Sequence, residues 1–130
     1  MWSYVQLGYV ALRQGNLVEA RENFGEALAL LGKLGKMQTS TIVWVLEGCA
    51  NLAAAQGQSG RALYLLEWAT AALKATGEPW YPIYQANLDR DLAIIRSQLN
   101  EDAITAASAA SRAMTVEQAI EYAAELATDG

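Results

Sequence analysis

Apolar residues recur along this chain at helical spacing. Ala20, Phe24, Ala27, Leu28, Leu31 and Leu34 form one stripe, and Ala62, Leu66, Ala69 and Leu73 form a second. Strand-like alternation is absent. The punctuation between stripes predicts seven helices. The first covers residues 2–14 and ends at Gly15. Asn16, with Glu19 in the reciprocal position, caps the second, which runs to residue 34 and stops at Gly35. The third covers 40–56; it is apolar on most sides and is expected to be the most buried. Ser59 is expected to cap the fourth, which ends at Gly77. A turn at 78–81 leads to Pro82 at the first position of a fifth helix running to 99. Leu88, Leu92, Ile95 and Leu99 should face inward from it. Asn100 caps the sixth, with Glu101 and Asp102 at its positive end. Thr115 and Gln118 have capping-box spacing and open the seventh.

The pattern repeats. Gly15-Asn16 and Gly57-Gln58 each separate two apolar segments, and Ala20, Phe24 and Ala27 recur as Ala62, Leu66 and Ala69, an offset of 42 residues. A fainter copy stands 41 residues further on, at Ala103, Ala107 and Ala110. The expected architecture is therefore all-α: antiparallel helix pairs stacked side by side over residues 1–36, 38–77 and 80–113, closed by a C-terminal helix at 115–127. All of it forms one domain over residues 1–130.

Composition agrees and narrows the function. With 53% hydrophobic residues and only two prolines, the 130-residue chain can bury a core without disulfides or metals. The single Cys49 lies among apolar neighbours and reads as a buried small hydrophobe. The longest apolar run, 41–55, contains Glu47 and Asn51 and is too short to span a bilayer. Gln6 and Arg13 interrupt the first apolar stretch, so no secretory leader opens the chain. A cytoplasmic protein is the expectation.

The net charge is −5. Residues 1–99 balance eight acids with eight bases, while residues 100–130 carry six acids and only Arg112. That distribution offers no footprint for nucleic acid or anionic lipid. Histidine is absent, which removes histidine-containing zinc sites and nucleophile–histidine catalysis together. Gly57-Gln58-Ser59-Gly60 lacks the lysine and the preceding strand of a phosphate loop. The carboxylate pairs Asp89/Asp91 and Glu101/Asp102 lie in polar stretches and read as solvated surface. Glu47 alone stands in an apolar setting; it either lines a groove or pairs with an arginine at the edge of the core. No enzyme and no cofactor are expected.

Tyr4, Leu7, Gly8, Gly15, Ala20, Phe24 and Ala27 fall where the tetratricopeptide repeat has its signature aromatic, Leu, Gly, Gly, Ala, Phe and Ala. The second copy keeps Gly57, Ala62 and Ala69. The chain resembles that family, although its period exceeds the usual ~34 residues. Farther on, Gly60-Arg61-Ala62-Leu63-Tyr64-Leu65-Leu66, Gly77-Glu78-Pro79 and Arg112-Ala113-Met114-Thr115-Val116-Glu117-Gln118-Ala119-Ile120 resemble the end of the helical-repeat region in MalT-like and LuxR-type bacterial transcriptional regulators, members of the signal-transduction ATPases with numerous domains. In such regulators an ATPase precedes repeats that sense an inducer or a partner protein. Because the chain lacks both the ATPase and a helix-turn-helix, it is expected to be an excised C-terminal sensor or interaction region. A free-standing scaffold of the same fold is the alternative.

The tetratricopeptide resemblance also implies a site. In such arrays the first helix of each pair lines a concave groove, with signature positions two, five and nine turned into it. These are Trp2, Val5 and Tyr9 in the first copy and Trp44, Glu47 and Asn51 in the second. The implied occupant is a protein, a peptide or a small-molecule inducer, with no direct nucleic-acid or membrane contact. The set lacks the Lys/Asn-rich clamp used for terminal carboxylates. A competing expectation is that Trp2 and Trp44 pack on a neighbouring repeat or make a homodimer contact.

Overall fold

A computed structural model of the chain describes residues 2–34, 39–77 and 82–128, apart from the side chains of Trp2, Leu34, Ile83, Tyr84 and Thr128. The predicted stop at Gly35, the predicted turn at 78–81 and the last two residues lie outside the described residues. Seven helices and no strand form among the described residues: α1 (Trp2–Arg13), α2 (Leu17–Leu34), α3 (Thr39–Ala55), α4 (Ser59–Thr76), α5 (Pro82–Ser97), α6 (Glu101–Ser111) and α7 (Val116–Thr128).

The recurring Gly-polar dipeptide makes the same turn twice. Gly15 has φ +75° and Gly57 φ +81°, a left-handed conformation that glycine adopts without a Cβ penalty. Gly15 N–H donates to the Leu12 carbonyl and Asn16 N–H to the Ala11 carbonyl; Gly57 and Gln58 do the same to Ala54 and Ala53. Both are Schellman closures, and each reverses the chain into an antiparallel pair, α1 with α2 and α3 with α4. The residue after each glycine becomes the N-cap of the next helix. Asn16 fills that role with its side chain, accepting from Glu19 N–H at 3.2 Å and donating to the Glu19 carboxylate at 2.9 Å. In the second copy this geometry makes Gln58 the N-cap, with no side-chain hydrogen bond. Ser59, expected to cap, is instead the first helical residue, and its hydroxyl bonds the Gln98 amide. Asn100 accepts from Ala103 N–H at 2.8 Å, and Thr115 and Gln118 form the reciprocal box at 3.2 and 2.8 Å.

Helix α3 is the axis of the core. Nine of the ten residues from Thr41 to Ala50 are buried, Trp44 being the exception. Ala20, Phe24, Ala27, Ala62, Leu66 and Ala69, the repeated set, are all 0% exposed. Alanine on these faces brings helix axes close, and one ring exploits the proximity. Phe24 of α2 fills the space above two glycines, Gly8 of α1 and Gly48 of α3. A Cβ on Gly8 would stand 2.7 Å from the ring, and a Cβ on Gly48 would also overlap it.

After α4 the regular stacking changes. Helices α5 and α6 both pack on α4 and scarcely on each other. The cause lies in α6, which buries only Ala107 and Ser111. Ala110, at the third repeat position, is exposed, and Ile104, the one large apolar side chain of α6, is only partly buried, so α6 offers little apolar surface to α5. Helix α7 closes the structure sideways, lying back over α2, α3 and α4 with Ala119, Ala123, Leu126 and Ala127 buried. Trp68 Nε1 donates to the Met114 carbonyl at 3.0 Å, Tyr64 meets the Tyr122 ring at 4.7 Å, and Arg61 lies over Tyr122 at 5.4 Å.

Two opposite outcomes check this packing. Alanine is favoured over glycine in a helix by about 1 kcal/mol. Gly25→Ala, where an added Cβ meets nothing within 4 Å, should therefore stabilise the fold by up to that amount. Gly48→Ala gains the same propensity but drives a methyl into Phe24, an overpacking cost of about 1–3 kcal/mol, and should lower stability. Urea denaturation followed by circular dichroism reads both signs.

Candidate functional site

Residues from the first helix of each pair, α1, α3 and α5, wall a cavity of about 700 Å³. From α1 come Gln6, Tyr9, Val10, Leu12 and Arg13; from α3, Trp44, Glu47 and Asn51; from α5, Asn87, Arg90 and Asp91. Alternation of long helices α1 and α3 with their partners α2 and α4 leaves these three on one side.

Phe24 sets the position of one wall. Tyr9 stands edge-on to it at 5.4 Å and 88°, and stacks with Trp44 at 6.2 Å and 26°. Tyr9 Oη donates to the Trp44 carbonyl at 3.1 Å, tying α1 to α3. Burial raises the Tyr9 phenol well above its ordinary value, with Glu47, Cys49 and Asp91 adding to the rise, so it stays a neutral donor. Cys49, fully buried behind this wall, is pushed up to about 12 by the loss of solvent and is not a nucleophile.

The floor is acidic. Glu47, 5% exposed, hydrogen-bonds the side chain of Asp91 from α5. Asn51 Nδ2, one turn along α3 from Glu47, donates to Asp91 Oδ2 at 3.0 Å. Two carboxyl groups in contact cannot both ionise cheaply. Burial first, then the bond and the charge of Asp91, raise Glu47 from 4.5 to about 8, with Arg90 pulling the other way.

Of the six residues assigned to the groove from the sequence, Tyr9, Trp44, Glu47 and Asn51 meet in this cavity. Val5 does not: at 0% exposure it faces the core, because α1 turns its Val5–Gly8–Ala11 face toward α2. The Trp2 side chain lies outside the described residues. Glu47 lines the groove but has no arginine partner among the described residues; its partner is a second acid. Asp91, read as solvated surface, is half-buried and belongs to the site, whereas Asp89 is exposed and bonds Gln85. The polar surroundings of Asp91 in sequence conceal this, because its apolar neighbours come from another helix. Asn87 and Arg90 were also missed; Asn87 stands one turn before Asp91 on α5, and Arg90 directly precedes it.

The tetratricopeptide repeat family matches residues 1–75, more than half of the chain and both complete helix pairs up to the end of α4. The chain belongs to the tetratricopeptide repeat family. No curated protein and no solved structure gave a significant match. In this tetratricopeptide domain no described helix is long and apolar enough to cross a membrane. A second hollow of about 550 Å³ lies between α2 and α7, lined by Arg21, Glu22 and Glu26 against Ile120, Glu121 and Ala124.

The raised acid has a testable cost. From pH 4.5 to about 8 the folded chain holds a proton on Glu47 that the unfolded chain has released. Proton uptake on folding makes stability fall as pH rises through that window. Glu47→Gln mimics the protonated form. Its urea midpoint should match the parent near pH 4.5 and exceed it at pH 8, by roughly 1 kcal/mol or more of stability.

Proposed function

We propose that this tetratricopeptide domain is a non-catalytic binding module whose α1–α3–α5 cavity receives a segment of a partner protein or a small inducer. One observation carries the reading: the walls of the cavity are the first helices of successive pairs, joining a stacked aromatic surface to a few convergent polar groups. Aromatic area gives affinity, and amides and charges fix orientation. Among the described residues, no cluster of three metal-ligating side chains occurs. The acids of the site are bonded to each other and to an amide, which suits recognition better than proton transfer to a substrate.

Within that reading, the chain serves as the sensor or interaction region of a cytoplasmic bacterial transcriptional regulator of the MalT-like, LuxR-type class. The support is the order and spacing of 60–66, 77–79 and 112–120, of which the last forms the capped start of α7. Reading the genomic frame upstream separates the alternatives: a phosphate-loop ATPase supports the regulator, and its absence leaves a free-standing scaffold.

Peptides selected on the chain from a random library test the binding site itself. They should shift backbone amide resonances of α1, α3 and α5. Asn87→Ala and Arg90→Ala, which remove groups from the rim and no core contact, should weaken binding about tenfold or more with near-normal melting. Tyr9→Ala is unsuited to this purpose, because Tyr9 also packs on Phe24 and bonds α3. Binding that shifts only α2, α6 or α7 would overturn the assignment.

A further inference from the structure

Glu47 sits midway along the most buried helix of the molecule, where an ionisable side chain requires a partner. Its partner, Asp91, has the same sign of charge. Among the described residues, the ion pairs are Arg61–Glu125 and Arg96–Glu67, both remote from the cavity. Arg90 is near enough to feel Glu47 but makes no ion pair with it, and Arg13 lies on the rim as an exposed residue. The floor of an open cavity thus holds two carboxyl groups, oriented by Asn51 and flanked by the Tyr9–Trp44 stack, and neither makes an ion pair among the described residues. Such a floor complements a positive charge, and aromatic walls strengthen that attraction.

We propose that the Glu47–Asp91 pair, on the floor of the cavity, is the receptor for a single lysine or arginine side chain of a bound peptide. The proposal rests on the reading of the α1–α3–α5 cavity as the binding groove and names what that groove selects. The step balances simply. An ammonium or guanidinium enters with its charge intact; the proton held on Glu47 leaves to solvent; the carboxylate so formed makes charge-assisted hydrogen bonds to the ligand. Around the pair stand Tyr9 of α1, which stays neutral, and Cys49 of α3, which stays a thiol, with Arg13 of α1 and Arg90 of α5 on the rim. The two rim arginines repel further cations, so one basic residue with neutral or acidic flanks fits, and a polybasic run does not.

The test uses the full chain and blocked peptides of about seven residues. Their central position is Lys, Arg, norleucine or Glu and their flanks are alanine and glutamate; n-butylamine is a further probe. Calorimetry in two buffers of different ionisation enthalpy gives affinity and proton release. The Lys and Arg peptides should bind about tenfold or more tighter than norleucine, tighten from about pH 6 to about pH 8, and release about one proton. Glu47→Gln keeps the side-chain shape and its hydrogen-bonding capacity but cannot ionise. It should abolish both the charge preference and the proton release, and Asp91→Asn should do the same, with circular dichroism confirming that each is folded. Binding in the groove with equal affinity for norleucine or Glu overturns this inference and leaves the groove standing. A preference that survives both variants also overturns it. n-Butylamine binding as tightly as the Lys peptide replaces the peptide with a free amine. No amide shift in α1, α3 or α5 with any peptide overturns the groove together with the inference.

Discussion

A single aromatic ring fixes how closely the first three helices approach. Phe24 occupies the volume that side chains at Gly8 and Gly48 would otherwise take, so α1, α2 and α3 meet around it with no slack. Tight interiors transmit displacement instead of absorbing it. Tyr9 rests its ring edge-on against Phe24, Trp44 stacks on Tyr9, and the hydrogen bond between them spans the two helices. The aromatic wall of the cavity is therefore an outward extension of the core. On that side the residues that line the cavity also hold the fold together, while the opposite rim, from α5, is free of this coupling.

The floor follows a different principle. Desolvation disfavours charge, and α3 is the worst place in the chain to keep one. Glu47 remains there in the company of Asp91, and Asn51 holds the second acid in place from the next turn of α3. A replacement by a well-packed apolar residue would remove a destabilising feature, so retention of the pair is not explained by the fold alone. It lies at the bottom of an opening, beside aromatic surface, where the proposed binding function would give it a role.

How far the sequence discloses this arrangement depends on the range of each interaction. Local signals read well. Gly15 and Gly57 require positive φ, Asn100 and Thr115 carry oxygens at cap spacing, and α3 lacks a polar face, so the helices and the central one among them could be marked in advance. Ser59 failed because the closure at Gly57 fixes the cap one residue earlier. The tertiary relations were only partly visible. The tetratricopeptide resemblance pointed to Tyr9, Trp44, Glu47 and Asn51 on the first helices, yet Val5, at the same formal position as Glu47, faces inward because α1 has only α2 and α3 to bury it. Asp91 was hidden: its environment is made by residues 40 positions earlier, and nothing around it in sequence announces them.

The path of α7 changes what sort of object the domain is. In an open solenoid each unit touches its neighbours alone, so units can melt singly from the ends and stability grows with their number. Here the last helix lies on the second, third and fourth, clasped by the Trp68–Met114 bond and the Tyr64–Tyr122 contact. The first pair and the final helix, separated by most of the chain, hold each other in place. Such a closed circuit favours cooperative unfolding over fraying unit by unit, and it must bring distant segments together before any of them is secure, at the expense of the rapid, local folding of a linear array.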